Sequence, residues 1–293
     1  MIAPIKNRLL NVLLADDGAL DAHSAIQLLN DLPHVRECEI TALRVFTPLE
    51  GSEFSNVEAE VEKTKDLLKS GNFNFHSEVI MGYPSETIIE YTSQHSPDLI
   101  VMGVKEKGLL GDLLGSVAAN VVHSGKWPVL IVRHPYNGLK RVLLVTDGSS
   151  TSHFTYEYLG GFSLPPQTRL EVMHVIPSVR TVFMVEPAGL VLPTLTPEDE
   201  ARLNRENEIQ GDEILERACY ELGMQGMEAK RVLRTGDSVE QILNYIETNQ
   251  IDMLVCGSRG IGNLTGWLLG SVSRELVLRA PCSVLVVRSP DKN

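Results

Sequence analysis

The sequence has few cysteines and no long apolar run. Its four cysteines are spread along 293 residues, with no Cys-x-x-Cys pair and no histidine at metal-ligand spacing, which argues against a disulfide framework and a zinc site. No apolar run approaches the roughly 18 residues of a membrane span. The apolar stretch near the N-terminus stops at Asp16, too early for a signal peptide. We therefore expect reduced thiols and a cytoplasmic protein with no membrane partner.

Positive charge is also scarce. Lys and Arg total 26 against 38 Asp and Glu, which gives a formal net charge of -12. Such a surface repels nucleic-acid phosphate and anionic membrane, so no nucleic acid is expected as a partner. The composition, 43% hydrophobic and 22% charged, is that of a folded globular chain. Half of 293 residues is about 147, the usual size of one domain, so two domains are expected.

The chain carries the same pattern twice. Residues 12–18 match 142–148 at an offset of 130, 98–103 match 252–257 at 154, and 129–133 match 284–288 at 155. We therefore assign a first domain to 1–135 and a second to 139–290. The change of offset, 154 minus 130, places 24 extra residues in the second copy, roughly at 177–197. That apolar, Pro- and Gly-broken segment either caps a ligand or covers the other domain.

Short β-branched runs alternate with helical stretches in each copy. The first copy predicts strands near 8–15, 38–46, 74–81, 97–103 and 128–133, and helices near 20–31, 55–70, 84–95 and 115–125. This alternation is typical of a parallel sheet with helices on both faces. The predicted fold class is α/β, with two tandem doubly wound domains, each a five-stranded parallel-sheet sandwich. Ligands on such sheets bind at the carboxyl ends of the strands.

A glycine-rich segment follows the fourth strand of the second copy. Gly257 and Gly260 allow a tight turn and a close approach of backbone to a ligand. Gly270 and Ser271 begin a helix whose free N–H groups favour phosphate. Ser271 and Ser273 add hydroxyl donors, and Arg259 adds a positive charge. The pattern Gly-x-x-Gly-x9-Gly-Ser therefore predicts a phosphate site.

Asp147 stands at the carboxyl end of the first strand of this copy. If the strand order is 3-2-1-4-5, it lies beside the glycine segment, where its carboxylate suits a ribose hydroxyl or an exocyclic amine. The alternative is a helix cap for the helix that begins near Ser149. His174, at the end of the second strand, is expected to be a strand histidine with its hydrogen bonds satisfied.

This arrangement resembles the universal stress protein family, in its ATP-binding branch, over almost the whole chain. The resemblance implies a Rossmann-like, adenine nucleotide α-hydrolase-like fold with strand order 3-2-1-4-5. It also implies that the last strands of the two units pair. These strands, at 129–132 and 284–287, are flat apolar edges that need cover, so the two units are expected to form an intramolecular pseudo-dimer.

The implied ligand is ATP, with Mg²⁺ as a companion for which the sequence offers no protein ligands. The implied contacts are Gly257, Ser258, Arg259, Gly260, Gly270, Ser271, Val272 and Ser273 for phosphate and ribose, and Thr146, Asp147 and the Val175 backbone for the nucleoside.

The first copy departs from this pattern. Glu106 stands where the second copy has Gly260, and its carboxylate would repel phosphate. Ala118 replaces the second hydroxyl at the helix start, although Asp17, Gly115 and Ser116 persist. We therefore expect one good nucleotide site per chain, in the second domain.

The function predicted from these features is nucleotide-dependent stress response or signalling through a change of conformation or of protein partner. Two alternatives stay open: a slow ATPase or nucleotidyl-transfer enzyme, and an interaction scaffold that binds no nucleotide. No residue pattern identifies a catalytic group or a metal site. Pairing of two chains into a homodimer is also open.

Overall fold

The computed structural model describes residues 10–16, 20–33, 38–47, 63–67, 74–104, 114–162, 164–178, 196–258 and 269–288. The first copy forms β1 (Asn11–Ala15), α1 (Leu20–Asp31), β2 (Glu39–Phe46), β3 (Asn74–Met81), α2 (Pro84–His95), β4 (Leu99–Val104), α3 (Ser116–Ser124) and β5 (Val129–Arg133). A further helical segment covers 63–67. The second copy forms β6 (Arg141–Val145), α4 (Ser150–Phe162), β7 (Arg169–Ile176), α5 (Pro197–Met224), β8 (Ala229–Thr235), α6 (Ser238–Asn249), β9 (Met253–Gly257), α7 (Ser271–Arg279) and β10 (Ser283–Val287).

The strands form one ten-stranded sheet in the order β3-β2-β1-β4-β5-β10-β9-β6-β7-β8. Each half has the predicted order 3-2-1-4-5, and every pairing within a half is parallel. The halves join where β5 and β10 pair antiparallel, with Leu130 opposite Leu285. The predicted meeting of the two apolar edge strands within one chain is therefore confirmed, and each edge covers the other.

The central strands of the sheet are buried on both faces, which explains why they lack an alternating pattern, whereas the outer strands β3 and β8 are largely exposed. β5 and β10 are buried at every residue. One core cluster packs α1, α4 and α5 on one face across both halves, and the other packs α2, α3, α6 and α7 on the opposite face. The fold is thus a three-layer α/β sandwich, as the sequence predicted.

One aspartate in each copy ties the fourth strand to the first. Asp98 Oδ2 accepts the N–H of Asn11 at 3.0 Å, and Asp252 Oδ2 accepts the N–H of Arg141 at 2.7 Å. Each carboxylate satisfies a donor at the start of β1 or β6 that the sheet leaves unpaired. The recurrence of this aspartate at an offset of 154 therefore has a structural cause.

The charged run that begins at Glu198 forms the start of α5, a helix of 28 residues. Thr196 caps it by accepting the N–H of Asp199 at 3.1 Å, and Pro197 occupies the first turn, where its missing N–H costs nothing. The extra segment at 177–197 lies almost wholly outside the described residues. Within the described part of the chain, none of the helices is both long and apolar enough to cross a membrane.

Candidate functional site

A cleft of about 320 Å³ opens at the carboxyl ends of β6, β7 and β9, between the first residues of α6 and α7. This is the edge of the sheet at which doubly wound folds bind ligands. Its floor is apolar and is formed by Met173, Val175, Ile242, Cys256 and Leu276. Its rim is polar and is formed by Thr146, Asp147, Ser152, Ser238, Ser271 and Ser273. An apolar floor with a few polar groups on one rim suits a flat ring that carries a polar substituent.

Most residues singled out in the sequence line this cleft: Thr146, Asp147, Val175, Gly257, Gly270, Ser271, Val272 and Ser273. Ser258 does not line it. It is buried, its N–H donates to the Val287 carbonyl and its own carbonyl accepts the Gly270 N–H, both at 2.8 Å. Its backbone therefore closes the base of the glycine segment. Arg259 and Gly260 lie outside the described residues.

The start of α7 presents free donors to the cleft. Gly270 is the N-cap, has no side-chain cap, and its carbonyl accepts the first helical bond from Arg274 at 2.9 Å. The amides of 271–273 therefore make no intrahelical bond. No acidic residue lies in the first turn, whereas α6 has Glu240 in that position. The first turn of α7 therefore has no carboxylate to compensate the positive end of the helix dipole, which favours an anion there.

Ser273 differs from its predicted role as a phosphate donor. Its side chain is 8% exposed, and its hydroxyl donates to the Gly257 carbonyl at 2.7 Å. The single hydroxyl proton is thus committed to the end of β9, and Ser273 fixes α7 to that strand. Ser271, exposed at the first position of the helix, is the hydroxyl that stays accessible.

The two carboxylate oxygens of Asp147 have different environments. Oδ1 accepts the N–H of Ser149 at 3.0 Å and the hydroxyl of Ser152 at 2.9 Å, which caps the start of α4. Oδ2 is buried and has no hydrogen-bond partner among the described residues. The capping interpretation is therefore correct for one oxygen, and the other is left for a donor that the described residues do not supply.

Gly148 makes this turn possible. Its φ of +73° is in the left-handed region, and a Cβ on it would lie 2.7 Å from Cγ1 of Ile214 in α5. Its N–H donates to the Thr146 hydroxyl at 3.2 Å, and that hydroxyl also pairs with the hydroxyl of Tyr156 at 2.5 Å. The Thr146 side chain is thus engaged inside the protein, while the residue itself lines the cleft.

The end of β7 presents backbone to the cleft. β6 pairs with β7 only as far as Met173, whose carbonyl then accepts the Thr146 N–H at 3.0 Å. Because alternate residues of a strand direct their N–H and C=O to the same edge, those of Val175 point past the end of β6. His174 donates from Nδ1 to the Thr146 carbonyl at 2.8 Å, which confirms it as a satisfied strand histidine.

Several lining residues were missed in the sequence. Ser238 and Ile242 belong to α6, which starts after the Gly236-Asp237 turn at the same edge of the sheet. Residues that follow the third strand of a 3-2-1-4-5 sheet could have been expected there. Burial raises the pKa of the Cys256 thiol to about 12, so it lines the floor as a neutral, apolar group. The described residues include no group of three His, Cys, Asp or Glu placed to hold a metal ion.

The first half has a different structure at the matching positions. Asp16 and Arg44, which align with Thr146 and His174, form a buried ion pair with Nη2 to Oδ1 at 3.4 Å. Thr64 donates its hydroxyl to Asp16 Oδ2 at 2.7 Å. The position at the ends of β1 and β2 is therefore occupied by the protein's own side chains. Asp17 and Glu106 lie outside the described residues.

Comparison with known proteins agrees with this architecture. The model of the universal stress protein family matches residues 9–133 and again 138–288. Universal stress protein YxiE of Bacillus subtilis is 30% identical over 153 residues, which cover 50% of this chain and 98% of the relative. Universal stress protein Rv2005c of Mycobacterium tuberculosis is 27% identical over 218 residues, 72% of this chain and 68% of the relative.

The crystal structure of a universal stress protein from Archaeoglobus fulgidus has the same fold. It is 23% identical, covers 95% of this chain and 98% of its own, and has a TM-score of 0.62. The two sheet halves thus define a tandem α/β protein built from two doubly wound units. The chain belongs to the universal stress protein family, with two family units in tandem.

Proposed function

We propose that the second half binds ATP in the cleft between β6, β7, β9 and α7. The observation that carries the proposal is the start of α7, where three amides without an intrahelical bond and a first turn without an acidic residue border a cleft with an apolar floor. Phosphate is assigned to this helix start together with Gly257, Gly270, Ser271 and Val272. With a net charge of -12, the chain binds phosphate through local backbone donors rather than through a basic surface.

The nucleoside is assigned to the other end of the cleft. The Val175 backbone offers a donor and an acceptor to the edge of adenine, and Asp147 Oδ2 accepts from a ribose hydroxyl or the exocyclic amine. The aliphatic side chains of Ile242 and Leu276 contact the ring faces. A Mg²⁺ ion would accompany the phosphates and neutralise part of their charge. Arg259 and Gly260 complete the proposed phosphate loop on the basis of the sequence pattern.

In this proposal the chain is a nucleotide-dependent binding protein of the stress response rather than an enzyme. Titration of the full chain with ATP in a calorimeter should give one site per chain, because the first half holds the Asp16–Arg44 pair at the matching position. Two tight sites would contradict the one-site proposal, and no binding would favour a scaffold that uses no nucleotide. Turnover of ATP well above background, lost in Asp147→Ala, would make the protein an enzyme instead.

Asp147→Asn separates the two roles of this residue. Its amide oxygen can still cap α4, but an NH₂ replaces an acceptor and a buried negative charge is lost. We expect ATP affinity to fall roughly tenfold, the free-energy equivalent of one charged hydrogen bond. The free energy of unfolding should stay within about 0.5 kcal/mol or rise, since the charge shared by Oδ2, a buried atom with no partner among the described residues, is removed. Calorimetry and urea unfolding measure the two quantities.

Asp237→Asn is the matched control, because Asp237 caps α6 by accepting the Glu240 N–H at 3.0 Å and does not line the cleft. It should leave ATP affinity unchanged. Equal ATP affinity in Asp147→Asn and the unmodified chain would show that Asp147 is only a cap.

A further inference from the structure

The last turn of α7 receives a hydrogen bond from the other half of the chain. In a helix the Val277 carbonyl would accept the N–H of residue 281, but that residue is Pro281, which has none. Arg133, the last residue of β5, donates from Nη2 to this carbonyl at 3.2 Å. The first half therefore supplies the donor that the second half lacks.

The contact is reciprocal. Arg288, which matches Arg133 at an offset of 155, follows β10 and donates to the carbonyls of Val122 and His123 at the end of α3. Val122 in turn matches Val277 at the same offset. Each half thus binds the C-terminus of the last helix of the other half with an arginine, across the antiparallel β5–β10 pair.

Both arginines are almost fully buried. Arg133 is 6% exposed and Arg288 is 2% exposed. Burial lowers the pKa of Arg133, and a cation at a helix C-terminus interacts favourably with the negative end of the dipole. A hydrogen bond to a buried carbonyl is costly to remove, since the carbonyl loses a donor that offsets its desolvation. The contact therefore fixes the end of α7 against β5.

α7 connects this contact to the proposed nucleotide site. Its other end is fixed by the Ser273 hydroxyl on Gly257 and by the Gly270 N–H on Ser258. Leu276 and Val277 are buried between these two ends. A helix of nine residues is a rod about 13 Å long, so a shift at Val277 is transmitted to the amides of 271–273.

We propose that Arg133 of the first half is a positioning residue for the nucleotide cleft of the second half. This inference rests on the proposed function, because it gives the first half a role in the nucleotide site of the second half. The first half itself lacks the full glycine pattern that follows the fourth strand of the second copy. Arg133 touches no ligand and acts through the position of α7. Arg288 performs the same task for α3, where no nucleotide site is proposed.

The test compares Arg133→Met with Arg288→Met in the full chain. Each removes one buried guanidinium at a pseudo-equivalent position, so their losses of stability should be similar. We expect Arg133→Met to weaken ATP binding roughly fivefold and Arg288→Met to change it less than about twofold. Arg133→Lys, which keeps a cationic donor, should recover part of the affinity and also serves if the Met variants fold poorly.

Amide hydrogen exchange supplies a readout that does not depend on ATP. Arg133→Met should accelerate exchange in 271–279 and spare 116–124, and Arg288→Met should do the reverse. Equal effects of the two variants on both helices, or equal loss of ATP affinity, would overturn the proposal. If each variant accelerates exchange in its own helix as expected but the chain binds no ATP, the proposed function is wrong. The support of α7 by Arg133 would then still be established.

Discussion

Ser271→Glu should lower the affinity for ATP by about two orders of magnitude without destabilising the protein. Ser271 is exposed at the first position of α7, and a carboxylate there interacts favourably with the helix dipole, so stability should be unchanged or slightly higher. The same carboxylate would lie against the phosphates. Two unit charges 4 Å apart repel by about 4 kcal/mol at an effective dielectric constant of 20, more than the predicted loss requires.

Ser116→Glu is the matched control for this experiment. Ser116 is the exposed first residue of α3, which also has a glycine N-cap without a side-chain cap. The two variants have the same net charge and the same position in a helix, and they differ only in which half carries the change. The ATP affinities of the two variants, measured by titration, should differ by about two orders of magnitude. Equal losses of ATP affinity in the two variants would show that the net charge of the chain, rather than the charge at the start of α7, affects ATP binding.

Ser271→Gln distinguishes charge from the hydroxyl. Its side chain has the size of glutamate without the charge, and the short hydroxyl donor is lost. We expect a loss of less than about tenfold, since backbone amides carry most of the phosphate binding. A loss as large as that of Ser271→Glu would mean that the added bulk or the missing hydroxyl, rather than the negative charge, weakens ATP binding.

The sequence predicts the fold well because the fold repeats. The offset of 155 between 129–133 and 284–288 identifies two apolar strands of one kind, and the family resemblance implies that they pair, as β5 and β10 do. The buried central strands and the capped helices follow from local patterns. The predicted boundaries of β4 and α3 differ from the observed ones by one or two residues, as frayed ends do.

The roles of the site residues are predicted less completely, because the hydrogen-bond partners of a side chain depend on how distant segments pack together. A serine at the start of a helix looks like a free donor in sequence, and only the position of Gly257 shows that Ser273 has used its proton. In the sequence Asp147 is compatible with a ligand or a helix cap, and in the structure its two carboxylate oxygens have different environments. The floor from α6 was missed, since Ser238 and Ile242 carry no sequence signal of their own.

The first half illustrates the same limit. Glu106 and Ala118 indicated a weakened phosphate loop, but the Asp16–Arg44 pair could not be derived from either residue alone. Its formation requires that the ends of β1 and β2 lie side by side, with Thr64 from the helical segment at 63–67 closing over Asp16. In the second half, His174 at the position of Arg44 hydrogen-bonds the Thr146 carbonyl and forms no such pair.

Arg44→Met is expected to destabilise the protein by about 3–5 kcal/mol, because it removes the guanidinium that is paired with the buried Asp16 carboxylate. Both side chains are almost fully buried, at 4% and 2% exposure, so water cannot take the place of the guanidinium. Urea unfolding followed by circular dichroism measures the loss. Arg217→Met is the control, since its ion pair with Glu221 is exposed on α5 and should be worth no more than about 0.5 kcal/mol.

The double variant Arg44→Met with Asp16→Asn separates the cost of an orphaned charge from the value of the pair. Asparagine keeps an oxygen for the Thr64 hydroxyl and removes the charge, so much of the lost stability should return. If the double variant is as unstable as Arg44→Met, packing of the arginine stem rather than charge is what stabilises the ends of β1 and β2. ATP affinity should be the same in both variants, because the pair belongs to the first half and the proposed site to the second.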